Sequence, residues 1–404
     1  MSPRPARPDR DRGALAFPLL ALVGVVLVSL NLRTAVTSIS PLLGEIDAEI
    51  GLGATGMGLL GMVPTAMFAL WGVLTPVLLR RAGLETVTVG AMVAAAGGQV
   101  VRALADDPWA MGVGSLVALA GMGIGNVVAP PLVKKYFPRH VSAVSTLYIT
   151  GLQVGTVVPA LLAVPVADAA GWRMSIGWWA ALALVAVVPW AIEIARHGSP
   201  VVGGPAAGAG TRIRPWRSPV GLALALFFGT NSLCTYAFFT WMPAVAESIG
   251  MSRAEGGIAL AVFSAIGLIA ALVVPWIAGR VDDPYVVVVV SVACYLAGFA
   301  GLLWAPGAAP WIWIVLVGVG PSTFPLCLTL INLRTRTAAG SAALSGFSQG
   351  VGYTVASLGP IVFGALFSRV GLGAGLAFLL GVLAVMTVVS RVACRPRMLE
   401  DTLR

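Results

Sequence analysis

The sequence predicts an all-helical membrane protein with twelve transmembrane helices arranged as two similar halves of six. Three observations support this fold class. Of the 404 residues, 58% are hydrophobic and only 10% are charged, whereas soluble domains carry about 25% charged residues. Apolar runs of about 20 residues, long enough to cross a bilayer as helices, recur along the whole chain. Matching residues also recur between the two halves at a fixed spacing.

The chain divides into five parts. A short basic, Pro-rich segment at 1–13 lacks the features of a signal peptide and is predicted to be a cytoplasmic tail. A first half (14–195) and a second half (218–392) flank a flexible, Gly/Ala/Pro-rich cytoplasmic linker at 196–217, and 393–404 form a cytoplasmic tail. The predicted spans 1 to 12 are 14–43, 54–80, 84–104, 109–133, 141–166, 172–195, 218–243, 254–279, 285–304, 310–333, 339–367 and 371–392.

The distribution of basic residues predicts the orientation of these spans. With both termini cytoplasmic, 20 of the 25 lysines and arginines fall on the inner side, as the positive-inside rule requires. Four fall on the outer side, namely Arg102, Arg173, Arg253 and Arg369, and Arg33 lies within a span. The net charge of +9 is therefore a topology signal. We expect a monomer in a plasma (inner) membrane, surrounded by lipid, without a nucleic-acid partner.

An internal repeat relates the two halves. A shift of 199 positions places Gly58, Pro76 and Arg81 on Gly257, Pro275 and Arg280. Two six-helix repeats related by an axis along the membrane normal are typical of transporters whose substrate site lies between the halves, near the bilayer midplane.

Five strings resemble those of a known family: SLNLRTAVTSISPLLG (29–44), GIGNVVAPPLVKKYFP (123–138), GWR (171–173), NSLCTYAFFTWMP (231–243) and QGVGYTVASLGP (349–360). Together they are similar to the cyanate / 2-nitroimidazole transporter family of the major facilitator superfamily. The resemblance covers nearly the whole chain. It implies the major facilitator fold, with spans 1, 4, 7 and 10 lining a central cavity and spans 5 and 11 flanking it.

Few residues could support enzymatic chemistry or a proton relay. Both histidines are in predicted loops, so a buried nucleophile–histidine pair is absent, and the chain has no Walker loop. The four scattered cysteines have neither disulfide nor metal-site spacing. We expect no cofactor and no metal. No acidic residue lies near the middle of a span, so a coupled proton would travel with the substrate or through Glu45 or Glu247 at the outer rim.

Arg33 is the main candidate for substrate binding. An arginine at bilayer depth costs roughly 2.5–3.5 kcal/mol on insertion scales and therefore needs an explanation. Arg33 lies eight residues before Pro41 and so, at the helical rise, about 12 Å deeper, inside the hydrocarbon zone on the outer side of the midplane. We predict that its planar set of five donors faces the central cavity and binds an anion. The alternative is that Arg33 extends toward the interface or caps carbonyl groups freed by Pro41.

Other polar and aromatic residues fall near the middle of the spans that the resemblance implicates. Side chains of Tyr and the amides offer both donors and acceptors, and each is about as well explained by an interhelical hydrogen bond. The predicted substrate-binding set is Arg33, Asn31, Thr34, Asn126, Tyr148, Gln153, Asn231, Tyr236, Phe324, Gln349 and Tyr353. The predicted gating residues in inner loops are Arg80, Arg81, Arg280 and Asp282, for which topology alone is an equal explanation.

The sequence therefore predicts a secondary transporter that moves a small polar or anionic solute by alternating access. One alternative is an exporter of apolar or nitroaromatic drug-like compounds, in which Arg33 is structural. Another is a sensor without transport activity, for which no signalling domain is visible. Substrate identity, direction and coupling ion are left open.

Overall fold

The predicted fold class is confirmed. The computed structural model describes residues 13–137, 139–199, 214–281, 283–336 and 338–402, and this part of the chain is helical throughout. Eleven stretches are long and apolar enough to cross a membrane. One of them, Ala143–His197, has 55 residues, about twice the length that a single crossing needs. Gly171 interrupts it with φ 83° and ψ 157°, a conformation suited to glycine, so this stretch contains spans 5 and 6.

Most spans extend a few residues beyond their predicted bounds. Span 1 comprises Gly13–Asn31, Thr34–Thr37, a 3₁₀ turn Ser40–Leu42 and Leu43–Ile50. Spans 2 to 4 comprise Gly53–Ala82, Leu84–Ala103 and Pro108–Tyr136. Span 5 is the part of Val141–Gly177 before the break at Gly171, and span 6 comprises the part after it together with Trp179–His197. After a 3₁₀ turn at Pro215–Arg217, spans 7 to 9 are Pro219–Ser248, Arg253–Ala278 and Tyr285–Trp304. Span 10 comprises Pro310–Val319, the 3₁₀ turn Gly320–Ser322 and Thr323–Leu333. Span 11 comprises Ala338–Ala356 and Leu358–Val370. Span 12 is Leu372–Cys394, and a 3₁₀ turn at Glu400–Thr402 follows it.

Several helices begin at side-chain caps that the sequence encodes. The Asp107 carboxylate accepts hydrogen bonds from two backbone N–H groups of span 4, and the Ser218 hydroxyl does the same for span 7. Proline follows each cap at the first helical position, where its missing N–H is not needed. Ser252 and Glu255 form a reciprocal capping box at the start of span 8. These caps fix where the chain turns between spans.

Span 1 is discontinuous, whereas its repeat partner, span 7, is one helix. The first helix of span 1 ends at Asn31, and Arg33 has φ −132° and ψ −5°, outside the helical region. A 3₁₀ turn at Ser40–Leu42 interrupts the span again. The breaks free backbone carbonyls inside the bundle, and these need donors other than the helix itself.

Glycines allow close packing of helices within the first half. A Cβ at Gly155 of span 5 would lie 2.0 Å from the Leu30 carbonyl oxygen of span 1. A Cβ at Gly98 of span 3 would lie 2.2 Å from the Ala118 backbone nitrogen of span 4. Backbones can approach this closely only where side chains are absent, as is common in membrane helix bundles. These contacts place span 5 tightly against span 1 and span 3 tightly against span 4.

The two halves are joined at the end of the bundle opposite the termini, here called the far side. Arg253 of span 8 forms ion pairs with Glu45 of span 1 and, at 3.6 Å, with Asp168 of span 5. A Cβ at Gly58 of span 2 would lie 3.3 Å from the Ile361 Cα of span 11. Among the described residues, every ion pair between the halves lies on this side. The structure is therefore closed at the far side.

The C-terminal segment packs against the second half rather than leaving it. Leu399 is fully buried, and its backbone N–H donates to the Arg334 carbonyl at 2.8 Å. Arg336 donates two hydrogen bonds of 2.7 Å to Asp401. Most of the predicted N-terminal tail (1–12) and of the predicted linker (200–213) lies outside the described residues.

Candidate functional site

Arg33 occupies the first break of span 1. Because Val36 donates its N–H to the Arg33 carbonyl, the Leu32 carbonyl lacks its usual helical donor, and Arg33 Nη1 donates to it at 2.9 Å. The same nitrogen donates to Asn126 Oδ1 of span 4 at 3.3 Å. Asn126 is held in turn by its own Nδ2, which donates to the Met122 carbonyl at 2.9 Å. Spans 1 and 4 thus fix the guanidinium between them.

The Arg33 guanidinium has no counter-charge and keeps free donors. None of the ion pairs in the described part of the chain includes it. Its Nε and Nη2 have no hydrogen-bond partner there, and neither atom is completely enclosed. The side chain is 8% exposed, and its Cζ lies 4.7 Å from the centre of the Phe68 ring. A cation–π contact of this kind contributes about 0.5–2 kcal/mol and does not neutralise the charge.

Three tyrosines from three different spans lie near this cation. Tyr148, Tyr236 and Tyr353 all lie within electrostatic range of Arg33. Their hydroxyls have no hydrogen-bond partner among the described residues and are not among the fully enclosed polar atoms. Each hydroxyl therefore reaches accessible space. The three side chains come from spans 5, 7 and 11, so both halves contribute.

Aromatic rings form a continuous cluster beside the guanidinium. The Phe68 ring centre lies 6.4 Å from that of Tyr236 and 5.8 Å from that of Tyr353, both edge-on. Tyr353 contacts Phe228 at 5.1 Å, and Phe228 contacts Phe324 at 5.4 Å. Edge-to-face packing at these distances is favourable and holds the rings in defined orientations. The cluster links spans 2, 7, 10 and 11 around one polar group.

The remaining predicted residues have partners elsewhere. Asn31 donates to the Leu27 and Leu182 carbonyls and so lies between spans 1 and 6, and the buried Thr34 hydroxyl donates to the Asn31 carbonyl. Asn231 accepts from the Thr323 hydroxyl at 2.7 Å, between spans 7 and 10.

The two predicted glutamines also make protein contacts. Gln153 Nε2 donates to the Ser264 carbonyl across the two halves at 3.4 Å. Gln349 Nε2 donates to the Ser345 hydroxyl of its own helix at 2.8 Å. The structure therefore brings Arg33 together with Asn126, Tyr148, Tyr236 and Tyr353, and shows other contacts for Asn31, Thr34, Asn231, Gln153 and Gln349.

The predicted gating residues form no described contact between the halves. Arg280 stacks on Trp276 of its own helix, with Cζ 4.3 Å from the ring centre. Arg81 has no hydrogen bond or ion pair in the described part of the chain. Asp282 and the Arg80 side chain lie outside the described residues. Among the described residues, the ion pairs that join the halves are instead those of Arg253 on the far side, a residue that the sequence assigned only to the outer side.

Two residues near span 1 were not singled out from the sequence. Phe68 stacks on Arg33, but an aromatic residue in an apolar span carries no distinguishing pattern. Arg102 is enclosed by protein, with 2% of its surface exposed, although its place at the end of span 3 indicated a loop charge. Arg102 donates to the Ala35 carbonyl at 2.9 Å. Span 1 therefore has arginines at two of its freed carbonyls.

The arrangement is suited to binding rather than to bond-making chemistry. A fixed cation, three hydroxyl groups that donate or accept, and aromatic faces offer contacts to an anion or an electron-rich ring. Among the described residues, no cluster of three or more His, Cys, Asp and Glu side chains has the geometry of a metal site.

Comparisons with known proteins identify similar transporters. A 2-nitroimidazole transporter of Escherichia coli (strain K12) is 29% identical over 357 residues, which cover 87% of this chain and 89% of that protein. The cyanate transport protein CynX of the same strain is 27% identical over 356 residues, which cover 87% of this chain and 90% of that protein. The resemblance drawn from the five strings is thereby confirmed.

A solved structure supports the fold independently of sequence. The crystal structure of a bacterial homologue of the human lysosomal transporter Spinster, in an inward-facing and occupied conformation, matches with a TM-score of 0.74 at 15% identity, covering 94% of this chain and 98% of that one. At this identity the likeness establishes the fold alone. The family model described as Major Facilitator Superfamily matches residues 23–364. The chain belongs to the Major Facilitator Superfamily, as a multi-pass secondary transporter and not an enzyme.

Proposed function

We propose that this transporter carries a small anionic or electron-rich polar solute, which Arg33 binds in the space between the halves. The observation that carries the proposal is an Arg33 guanidinium without a counter-charge, whose Nε and Nη2 are unpartnered yet accessible. A planar fork of this kind suits carboxylate-like and pseudohalide groups. Relatives named for cyanate and 2-nitroimidazole transport support a small, electron-rich solute.

Each residue around Arg33 has a defined role in this proposal. Asn126 holds Nη1, so the free edge of the guanidinium points away from span 4. Tyr148, Tyr236 and Tyr353 supply hydroxyl donors from both halves, and their convergence requires the halves to approach each other. A solute that gains these donors only when the halves close would favour the occluded state, as alternating access requires.

The far-side contacts between the halves must break when the transporter opens in that direction. Arg253 joins the halves through Glu45 and Asp168, so exchange with the far side requires these ion pairs to separate. We place the protein in the plasma membrane with both termini cytoplasmic, on the strength of the basic-residue bias. In that orientation the structure is closed to the outside.

Export of neutral aromatic compounds is the second candidate, and the aromatic cluster is the observation that favours it. Phe68, Phe228, Tyr236, Phe324 and Tyr353 offer ring faces and edges for a planar solute. In this case Arg33 acts as a cap for the Leu32 carbonyl and as a cation–π partner of Phe68.

Thermal stabilisation of purified protein distinguishes the two candidates, because a ligand raises the unfolding temperature according to its affinity for the folded state. We expect cyanate and small carboxylates to stabilise the wild type and not the Arg33→Ala variant. Uptake of the stabilising anion into proteoliposomes should be lost in Arg33→Ala and strongly reduced in Arg33→Lys, while both variants stay folded and membrane-inserted. Stabilisation by neutral aromatics only, equal in wild type and Arg33→Ala, would establish the exporter.

A further inference from the structure

A second enclosed arginine lies away from the Arg33 site, at the end of span 3. The Arg102 side chain is 2% exposed and packs over Gly114 of span 4. A Cβ at Gly114 would lie 2.8 Å from Arg102 Cγ, so the missing side chain provides the room for this arginine. The conformation is therefore built into the packing of spans 3 and 4.

The Arg102 guanidinium is only partly satisfied by protein. Nη1 donates to the Ala35 carbonyl, which lies in the four-residue helix Thr34–Thr37 and lacks a helical donor because that helix ends two residues later. Nε is completely enclosed and has no partner. None of the ion pairs in the described part of the chain includes Arg102. One carbonyl dipole thus faces a full positive charge.

A small cavity adjoins this guanidinium. Its volume is about 20 Å³, and its lining includes Arg102 and Ser115 from spans 3 and 4, Gly61 from span 2, and Thr240 from span 7. The Ser115 hydroxyl is enclosed and has no hydrogen-bond partner. Arg102 and Ser115, which both line this space, thus each carry a buried polar atom without a partner among the described residues, and one of the two residues is charged. Because Thr240 belongs to the second half, the cavity lies between the halves.

The size and charge of the cavity select its occupant. A cavity of about 10–15 Å³ holds one water molecule, so this one has room for a single small particle. Burying a cation without a counter-charge costs several kcal/mol, which a neutral water molecule would offset only in part. A monatomic anion supplies the missing charge and accepts hydrogen bonds from Arg102 and from the Ser115 hydroxyl.

We propose that Arg102 and Ser115 bind one halide ion, chloride under physiological conditions, between the two halves. The site is separate from the solute site at Arg33 and does not depend on it. Because Thr240 and Gly61 line the cavity from opposite halves, separation of the halves at the far side opens the site to solvent. Bound chloride therefore favours the closed far side and acts as a counter-ion that the transport cycle must release.

The test measures thermal unfolding of the purified full chain in chloride–gluconate mixtures at constant ionic strength. We expect the unfolding temperature of the wild type to rise with chloride concentration, following the occupancy of one site. Ser115→Ala should weaken the apparent chloride affinity by about tenfold, because one hydrogen bond to a charged group is lost. Arg102→Gln should abolish the response. Bromide soaked into crystals should give an anomalous peak within hydrogen-bond distance of Arg102.

Two control variants locate the effect. Arg334→Gln removes another buried arginine, which among the described residues donates to the Ala393 and Cys394 carbonyls, and should keep the wild-type chloride response. Arg33→Gln should also keep it, which separates this proposal from the solute site. A chloride response that is absent in the wild type, or equal in all variants, would overturn the proposal, as would wild-type crystals without a bromide peak at Arg102. In either case Arg102 is a cap for Ala35 with water beside it.

Discussion

Replacing Asn126 with aspartate tests the role of Arg33 without removing the arginine. Arg33 Nη1 lies 3.3 Å from Asn126 Oδ1, so Asn126→Asp places a carboxylate in contact with the guanidinium while keeping the shape of the side chain. At an effective dielectric constant of about 20, a charge pair at this distance attracts by about 5 kcal/mol. The new ion pair neutralises the cation from within the protein.

The same carboxylate repels an anionic solute. An anion bound to Nε and Nη2 would lie roughly 6 Å from the new charge, where the repulsion is about 3 kcal/mol at the same dielectric constant. Since about 1.4 kcal/mol corresponds to a tenfold change in affinity, we expect binding of the stabilising anion to weaken by at least about 100-fold. A neutral solute experiences neither effect, so its affinity should change by only a small factor.

Isothermal titration calorimetry with the anion that stabilises the wild type provides the measurement, with counterflow in proteoliposomes as the functional readout. Asn126→Ser is the matched control, because the shorter neutral side chain removes the Oδ1 contact with Arg33 without adding charge, and it should retain binding to within about tenfold. If folded Asn126→Asp protein binds the anion as tightly as Asn126→Ser, the anion does not bind at Arg33, and the reasoning from its free donors is refuted.

Three further predictions follow from the contacts. Tyr236→Phe and Tyr353→Phe should each weaken anion binding by about two- to tenfold, as measured by calorimetry. The unfolding temperature, measured by fluorimetry, should stay unchanged, since neither hydroxyl has a partner among the described residues. Arg253→Gln removes the ion pairs between the halves and should increase the population that is open at the far side. Spin labels at the far-side ends of spans 1 and 7 should then report longer distances. An unchanged distance distribution would contradict the role assigned to these ion pairs. Gly155→Ala should destabilise the fold by about 1–3 kcal/mol, because the added Cβ meets a backbone carbonyl. Gly350→Ala is the control, because the space around Gly350 is open, and it should not destabilise the fold. Equal unfolding temperatures for the two variants would refute this packing argument.

The number of spans and the pairing of the halves could be predicted because they depend on local properties of the sequence. Hydrophobic length determines a crossing, and basic residues at its ends bias its direction. The same signals failed at the breaks in span 1, since Arg33 is the one charged residue between Gly13 and Gly44 and the apolar run is otherwise long enough for a single crossing. Arg33 lies eight residues before Pro41, so the proline gives no local warning of a break at this position. The depth estimated for an unbroken helix does not apply to the broken one.

The candidate site could be predicted in part, because some of its residues stand out through local properties of the sequence. Arg33 stood out because charge in an apolar run is visible in the sequence, and Asn126, Tyr236 and Tyr353 belong to strings that the family resemblance marks. The burial of Arg102 could not be predicted, because it depends on Gly114 of another helix and on a carbonyl freed by a break in span 1. Phe68 likewise becomes distinctive only through the ring and guanidinium that it contacts.

We infer that Arg33 does more than cap span 1, because a purely structural role leaves its charge unused. Capping the Leu32 carbonyl requires one N–H, and a neutral hydroxyl or amide could supply it without the roughly 2.5–3.5 kcal/mol that a charged side chain costs at this depth. Arg33 brings five donors and a permanent charge, and only Nη1 is used by protein. Three tyrosine hydroxyls near the guanidinium also lack a hydrogen-bond partner among the described residues. A site for an electron-rich solute needs unpartnered donors around a cation, and both halves supply such donors here.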